Sequence, residues 1–288
     1  MANRALSISK LFRVTAQILS AALFVYPAVY AMDTGSSQVN VHGSITHDAL
    51  QGTLSEENLK LMMAADDSQD AAGSEGTTLP EKRRHFDAGA IPGSILYINR
   101  EKNRALNLAA EADKDPLARL DALRHFGLML HAVQDFYLRS NYVEMQLADE
   151  ANKNDPYGIS LVDWNRVGPT YPGLTAAKYG FGEDILDKES GTAGGGKTVV
   201  NGKTTYHTVA RELAVRETQR QWNLFETLVR SRCGNRAPSV LAALRQASTP
   251  TAPQTSATKE IESTQTIVSD PTKMDDHSQD NLDADQGP

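Results

Sequence analysis

Apolar residues recur at helical spacing through the middle of the chain and set most of its predicted elements. Leu117, Leu120, Leu123, Gly127, Leu130 and Gln134 fall on one stripe of a 3.6-residue repeat, which predicts a helix with that stripe toward the core. Asp115 suits the cap of this helix and Pro116 its first turn. An earlier amphipathic helix is expected from Ser55, an N-cap residue, to Ala65, and another over residues 95–112, where Leu and Ala alternate with charges. A long helix is expected from Tyr206 to Arg232, with Val209, Leu213, Thr218, Leu224, Leu228 and Val229 inward and Gly234 ending it. A short one follows over residues 238–246. Between these, residues 154–196 lack periodicity and carry turn signals at Asn154-Asp155-Pro156 and Tyr171-Pro172-Gly173, and residues 199–204 read as a small two-residue hairpin. The expectation is an all-α fold: one multi-helix bundle over residues 32–248, with a long irregular insertion that contains the hairpin.

The two ends carry a different pattern. Arg4, Lys10 and Arg13 precede an uncharged run from Val14 to Ala31, broken by Pro27 and ending in small residues at Val29 and Ala31. That is the pattern of a signal peptide over residues 1–31, cut after Ala31, and it predicts a secreted or periplasmic protein. An uncleaved anchor is the rival reading, and Thr15, Gln17, Ser20 and Pro27 make the run a poor one. Residues 249–288 are rich in Ser, Thr and Pro, with eight acids against Lys259 and Lys273, and are expected to be a disordered acidic tail. With a net charge of -7, bulk electrostatics draws the chain toward neither nucleic acid nor an anionic membrane. Cys233 is the sole cysteine, so an exported domain has no internal disulfide and must rely on its core or on metal.

Candidate chemistry centres on His131 and Asp135, one helical turn apart and therefore on one face. Such a pair can share a divalent metal or make a structural hydrogen bond. Gly127 bares the same face one turn earlier and leaves room for close approach. His42, His85 and His207 stand at element starts, with Asp66, Asp67, Asp70 and Asp87 near His85 in sequence, and a helical bundle can bring such residues together. His47 and His125 read as supporting or surface residues, and His277 falls in the tail.

Four segments resemble, in order, the motifs of the Het-C family of heterokaryon-incompatibility-like proteins. HAVQDFYLRSNYVE at His131 is similar to its central signature, HGSITHDAL at His42 to its opening, RRHFDAG at His85 to its His-Phe-Asp motif, and HTVARELAVRET at His207 to its last helix. Het-C proteins in turn resemble the zinc-dependent phospholipase C and single-strand nuclease superfamily, an all-helical fold with clustered zincs. The resemblance implies metal ligands at His42, His85, His131, Asp135 and His207, with the Asp135 carboxylate bridging two ions. It also implies a ligand aspartate ahead of His85, for which Asp70 is the first candidate and Asp67 the second.

The chain departs from the pattern at two places. Arg139 stands where Het-C members carry histidine, and a guanidinium cannot bind a cation. Arg211 stands one turn after His207, where the enzymes carry an acid, and Glu212 is about 100° round the helix from that place. The family's amino-terminal tryptophan ligand is also missing, since Met32 would open the mature chain. One zinc is thus the expectation, against up to three in the family. Arg139 reads either as a phosphate clamp or as a solvated or ion-paired arginine, with Asp135 or Glu144 as partner. Residues 191–198, GTAGGGKT, match the phosphate-loop pattern, but the flanking strand and helix which that mechanism needs are not predicted, so no nucleotide is expected. The functional expectation is an exported zinc-dependent phosphoric ester hydrolase, phospholipase C-like, acting on a phospholipid or other phosphodiester. Asp70 or Asp67 would orient or deprotonate the attacking water and Arg139 would assist. The alternative is a Het-C scaffold with structural zinc or none, acting in recognition or inter-strain antagonism.

Overall fold

Helix α5 (Pro116–Arg139) is the axis of the molecule, and its sequence explains why. From Met129 to Arg139 every residue is buried, including His131, Gln134, Asp135 and Arg139, so this half is enclosed on all sides. Asp115 starts the helix by accepting from the Leu117 N–H at 2.9 Å, with Pro116 in the first turn. The computed structural model describes residues 41–70, 79–167, 171–178 and 184–246. The expected leader over residues 1–31 and the acidic tail over residues 249–288 lie outside the described residues.

Around α5 pack α2 (Glu56–Asp67), α4 (Ile91–Ala109) and α8 (Tyr206–Cys233), while α1 (Val41–Leu50) lies against α2 and α8. The shorter helices α3 (Leu79–Arg84), α6 (Tyr142–Gln146) and α7 (Glu150–Asn154) interrupt the connections, and α9 (Ala237–Arg245) packs back onto α8. The fold is all-α: among the described residues β-structure is confined to isolated bridges, one of them Val199 to Thr205. The expected hairpin is therefore a tight turn, closed by Val200 N–H to the Thr204 carbonyl at 2.7 Å with Gly202 at φ 82°.

Gly127 is where α2 comes closest. A methyl group there would collide with the Met62 carbonyl and lie 2.9 Å from Ala65 Cβ, so the absent side chain lets the end of α2 press against α5. Other core expectations needed correction. Leu117, Leu224 and Leu228 are exposed, and on α8 Trp222 and Phe225 take the inward places, Trp222 edge-to-face and Phe225 tilted against Phe126 with ring centroids 5.4 and 4.9 Å away. Thr218, Trp222, Phe225 and Val229 make the real stripe, because the bulky rings fill the space beside α5 that leucines a residue earlier cannot reach.

Polar contacts tie the irregular segments to this frame. Tyr137 on α5 donates to buried Glu217 on α8 at 3.0 Å and accepts from the Val162 N–H at 3.1 Å, while Trp164 donates to the same carboxylate at 2.8 Å. At the far end, Ser55 N–H donates to the Arg245 carbonyl at 2.7 Å, and Asn58 and Arg119 both donate to the Gln246 carbonyl. These bonds satisfy the carbonyls of the last residue of α9 and of the residue after it, and clip the helix end to the start of α2.

Candidate metal centre

Four elements deliver their polar residues to one place beside the middle of α5. His42 comes from the first turn of α1, Asp66 and Asp67 from the last turn of α2, and Asp70 from the turn just after it. His85 and Asp87 follow α3 with Phe86 between them at φ 52°, a left-handed backbone that non-glycine residues adopt rarely. The reversal sends the Phe86 ring into the core, 5.2 Å from Phe136 and edge to face, and keeps both polar neighbours buried. The site residues of α5 itself are His131 and Asp135.

The distances among these groups are those of ligands around a shared ion. A tetrahedral ion with bonds of about 2.0–2.1 Å places its ligand atoms about 3.3 Å apart. His131 Nε2 lies 3.2 Å from Asp135 Oδ2, 3.0 Å from His85 Nδ1 and 3.5 Å from Asp70 Oδ1. His85 Nδ1 lies 3.6 Å from Asp135 Oδ2 and 3.7 Å from Asp70 Oδ1. Two imidazole nitrogens and two carboxylate oxygens thus outline one small polyhedron. On its other side, Asp135 Oδ1 is 3.4 Å from His42 Nε2.

Hydrogen bonds fix which atoms point inward. Gln134 Nε2 donates to Thr46 Oγ1 at 2.8 Å and to Asp66 Oδ2 at 3.2 Å, which turns its carbonyl oxygen toward His42 Nδ1 at 3.0 Å. A carbonyl can only accept, so His42 carries its proton on Nδ1 and, when neutral, presents a lone pair from Nε2 to the Asp135 carboxylate. His131 Nδ1 faces Asp66 Oδ1 at 3.4 Å, the arrangement of a carboxylate that orients a metal-binding histidine. Thr46 Oγ1 donates to Asp66 at 2.6 Å and holds it there.

Facing lone pairs in a buried place repel unless a cation lies between them. Without metal, protons must serve. Burial and the nearby His131 oppose charge on His42, yet Asp135 and Asp70 raise its pKa to about 9. Burial alone would raise the Asp135 carboxyl, but His131 and His42 hold it well below the ordinary carboxylate range. The Asp135 side chain is only 1% exposed, and its two oxygens face His42 Nε2 at 3.4 Å and His131 Nε2 at 3.2 Å. The residues present fit a divalent cation.

Not every expected residue joins this cluster. Asp67 sits beside Gly43 in the first turn of α1, where a Cβ would lie 2.7 Å from its Oδ2, and accepts from the Gly43 N–H. Burial, with Asp66 adjacent, pushes its carboxyl up to about 7. Its place is at the helix terminus that carries His42 rather than on the four-ligand cluster. His207 starts α8 as expected, but its Nδ1 donates to the Lys188 carbonyl at 2.7 Å, and among the described residues it belongs to no potential metal-binding group. Arg139 donates to Asp87 and Glu189, each at 2.9 Å, and the Asp135 carboxylate also acts on its charge. Arg211 is turned to Asp48 at 2.6 Å. His125 pairs with Glu101 at 2.6 Å, and His47 is exposed beside Asp48.

One participant is missing from the sequence reading and another has a different role. Asp66, named among the acids near His85, lies within α2, which extends past the expected end at Ala65 to Asp67 and turns Asp66 inward. Glu189 lies in the segment without periodicity, and only its position two residues before the glycine-rich run marked it. The potential metal-binding groups join His42 with Asp66 and His131, Asp70 with His85 and His131, and His42 with Asp135 and Glu189. The first of these uses the outward, proton-bearing side of His42 and is better read as support for the other two. Comparison with family models, with curated proteins and with solved structures returns no match, so the site stands on its own geometry.

Proposed function

We propose that this chain is an exported zinc-dependent hydrolase of phosphoric ester bonds, phospholipase C-like in its reaction. One observation carries the reading: the His85 and His131 nitrogens lie 3.0 Å apart and each lies 3.2–3.7 Å from carboxylate oxygens of both Asp70 and Asp135, brought from three separate segments of chain. Borderline nitrogen and oxygen donors in this number suit zinc better than the harder magnesium or calcium, which take more oxygen ligands. The resemblance to Het-C proteins supplies the substrate class, a phospholipid or other phosphodiester. When bound, the ion supplies Lewis acidity, which lowers the pKa of a nearby water and offsets charge on phosphoryl oxygens. Asp70 is the ligand with the most solvent-facing side chain, 39% exposed, so it is placed to orient a water or accept its proton. Asp66 and Gln134 keep the two central imidazoles turned inward. Arg139, bonded to buried Asp87 and to Glu189, holds these acids in place, and a phosphate would reach it only by displacing one of them.

The experiment is zinc analysis of the purified chain, paired with hydrolysis of p-nitrophenyl phosphorylcholine by the parent and by His85→Ala. Bound zinc with turnover that disappears in the variant supports the hydrolase. A second reading is favoured by the closed set of four protein ligands, which is the pattern of a structural ion. Stoichiometric zinc with no turnover on any phosphodiester would establish that scaffold instead.

A further inference from the structure

Away from the metal centre, α4 and α5 enclose a single carboxylate beneath a basic face. Glu101 on α4 is buried, and its Oε2 accepts from His125 Nδ1 on α5 at 2.6 Å. Its Oε1 accepts from Arg100 Nε at 2.9 Å and from Arg104 Nη1 at 3.4 Å. Arg124 Nη2 lies 3.3 Å from His125 Nε2. A guanidinium can only donate, so that ring nitrogen offers a lone pair and the proton sits on Nδ1, toward Glu101. One buried carboxylate thus holds guanidiniums from two helices, Arg100 and Arg104 directly and Arg124 through an imidazole. Arg100 also lies over the Tyr97 ring, its Cζ 5.1 Å from the centroid.

Clasping the two helices together needs only Glu101 and His125. The three arginine side chains are 49–56% exposed, and ion pairs open to water contribute little to stability. Asp121, 3.6 Å from Arg124 Nε, is the second acid paired with them, so three guanidiniums meet two carboxylates. Arg84, the last residue of α3, adds to the same field. Burial and Glu101 push the Tyr97 hydroxyl above its ordinary range, and Arg84, Arg100 and Arg124 all oppose that rise. The result is a concentrated positive face on a chain of net charge -7. Arg100 and Arg104 each spend one nitrogen on Glu101, which fixes the guanidinium and leaves the rest of its fork to a ligand. An anion arriving there meets donors that are already ordered.

We infer that Arg100, Arg104 and Arg124 form a binding site for a phosphate group, anchored by Glu101 and separate from the metal centre. Forks supplied by two helices suit a tetrahedral dianion, whereas one fork satisfies a planar carboxylate. The ligand chemistry is that of a phosphate monoester or inorganic phosphate, carried by a soluble molecule or by a lipid headgroup. Tyr97 joins this face to the metal centre, since its hydroxyl donates at 3.1 Å to buried Gln69, the residue before Asp70. No ion is needed for the site to work, so it stands apart from the proposed hydrolase.

The test is calorimetric titration of the full chain with inorganic phosphate alone, in chelator and at low ionic strength, which keeps metal out of the measurement. The parent is expected to bind phosphate, more weakly as salt rises. Arg100→Gln combined with Arg124→Gln is expected to weaken binding about tenfold or more, with circular dichroism unchanged. Arg100→Lys keeps the charge, loses the fork and is expected to weaken binding as well. Arg104→Gln gives the same reading should the double variant fail to fold. Repeating the titration with glycerol phosphate, and with phosphatidylcholine vesicles containing phosphatidic acid, identifies the source. Tighter binding to the vesicles assigns a lipid headgroup, and tighter binding to the soluble ester assigns a free metabolite. No phosphate bound by the parent, or parental affinity in the arginine variants, would overturn the site and leave zinc binding untouched.

Discussion

At φ 52°, Phe86 holds a backbone conformation that costs a non-glycine residue about 1 kcal/mol or more, and its burial against Phe136 is what offsets it. The strain sits between His85 and Asp87, one a ligand and the other bonded to Arg139. His131 is the residue on which the cluster most depends, since its two nitrogens face the ion position and Asp66. His131→Ala is expected to lose the bound metal and its linked stability together, about 3–4 kcal/mol at zinc concentrations a few hundred times the dissociation constant. Zinc content and melting temperature measured on one sample check this; zinc retained at the parental level would count against the site. Asp67 gives a pH prediction. Its carboxyl is raised from 3.8 to about 7 in the folded chain, so its contribution favours the fold below pH 3.8 and is lost as pH rises through 7. Asp67→Asn removes that penalty and keeps an acceptor for Gly43. In chelator, the variant should match the parent near pH 3 and exceed it near pH 8 by on the order of 2 kcal/mol, once solvent screening is allowed for. Parallel melting curves across that range would refute the assignment.

At the scale of elements, Gly127 is the contact that decides where α2 ends against α5. Gly127→Ala would push the Met62 carbonyl and Ala65 outward, and with them Asp66 and Asp70. The expected cost is about 1–3 kcal/mol in chemical denaturation, with weaker zinc binding, since overpacking here has no flexible side chain to absorb it. Unchanged zinc affinity would show that α2 can shift without disturbing its carboxylates. The helices themselves were legible from caps and period: Ser55, Asp115-Pro116 and Gly234 mark true boundaries of α2, α5 and α8. Which face of α8 points inward was less legible, because apolar residues encircle it and only packing against Phe126 chooses among them. For the site, His42, His85, His131 and Asp135 could be read because each stands at a helix start, after a helix or at helical spacing. His207 stands at a helix start as expected and turns its Nδ1 to the Lys188 carbonyl, outside the potential metal-binding groups among the described residues. Glu189 was hidden because an irregular segment has no period from which direction can be inferred.

For the molecule as a whole, metal and fold are expected to be coupled. The cluster joins α1, α2, the segment after α3 and α5, so a cation there links parts of the chain far apart in sequence. Stripping with chelator should lower the melting temperature and restoring zinc should recover it, while the far-ultraviolet helical signal at room temperature changes little, because the core of α5 is apolar and extensive. Melting curves that ignore chelator would break the link between metal and stability. Gln134 makes the coupling stricter still. Its single carboxamide touches His42, Thr46, Asp66 and Thr218, which belong to three different helices around its own. Acceptance at one end and donation at the other leave it no symmetrical alternative, so the assembly of four helices dictates which nitrogen of one ring stays bare. A chain whose helices docked out of place would lose that constraint and leave the ring free to carry its proton on either nitrogen. Correct docking is thus written into the tautomer of a single imidazole.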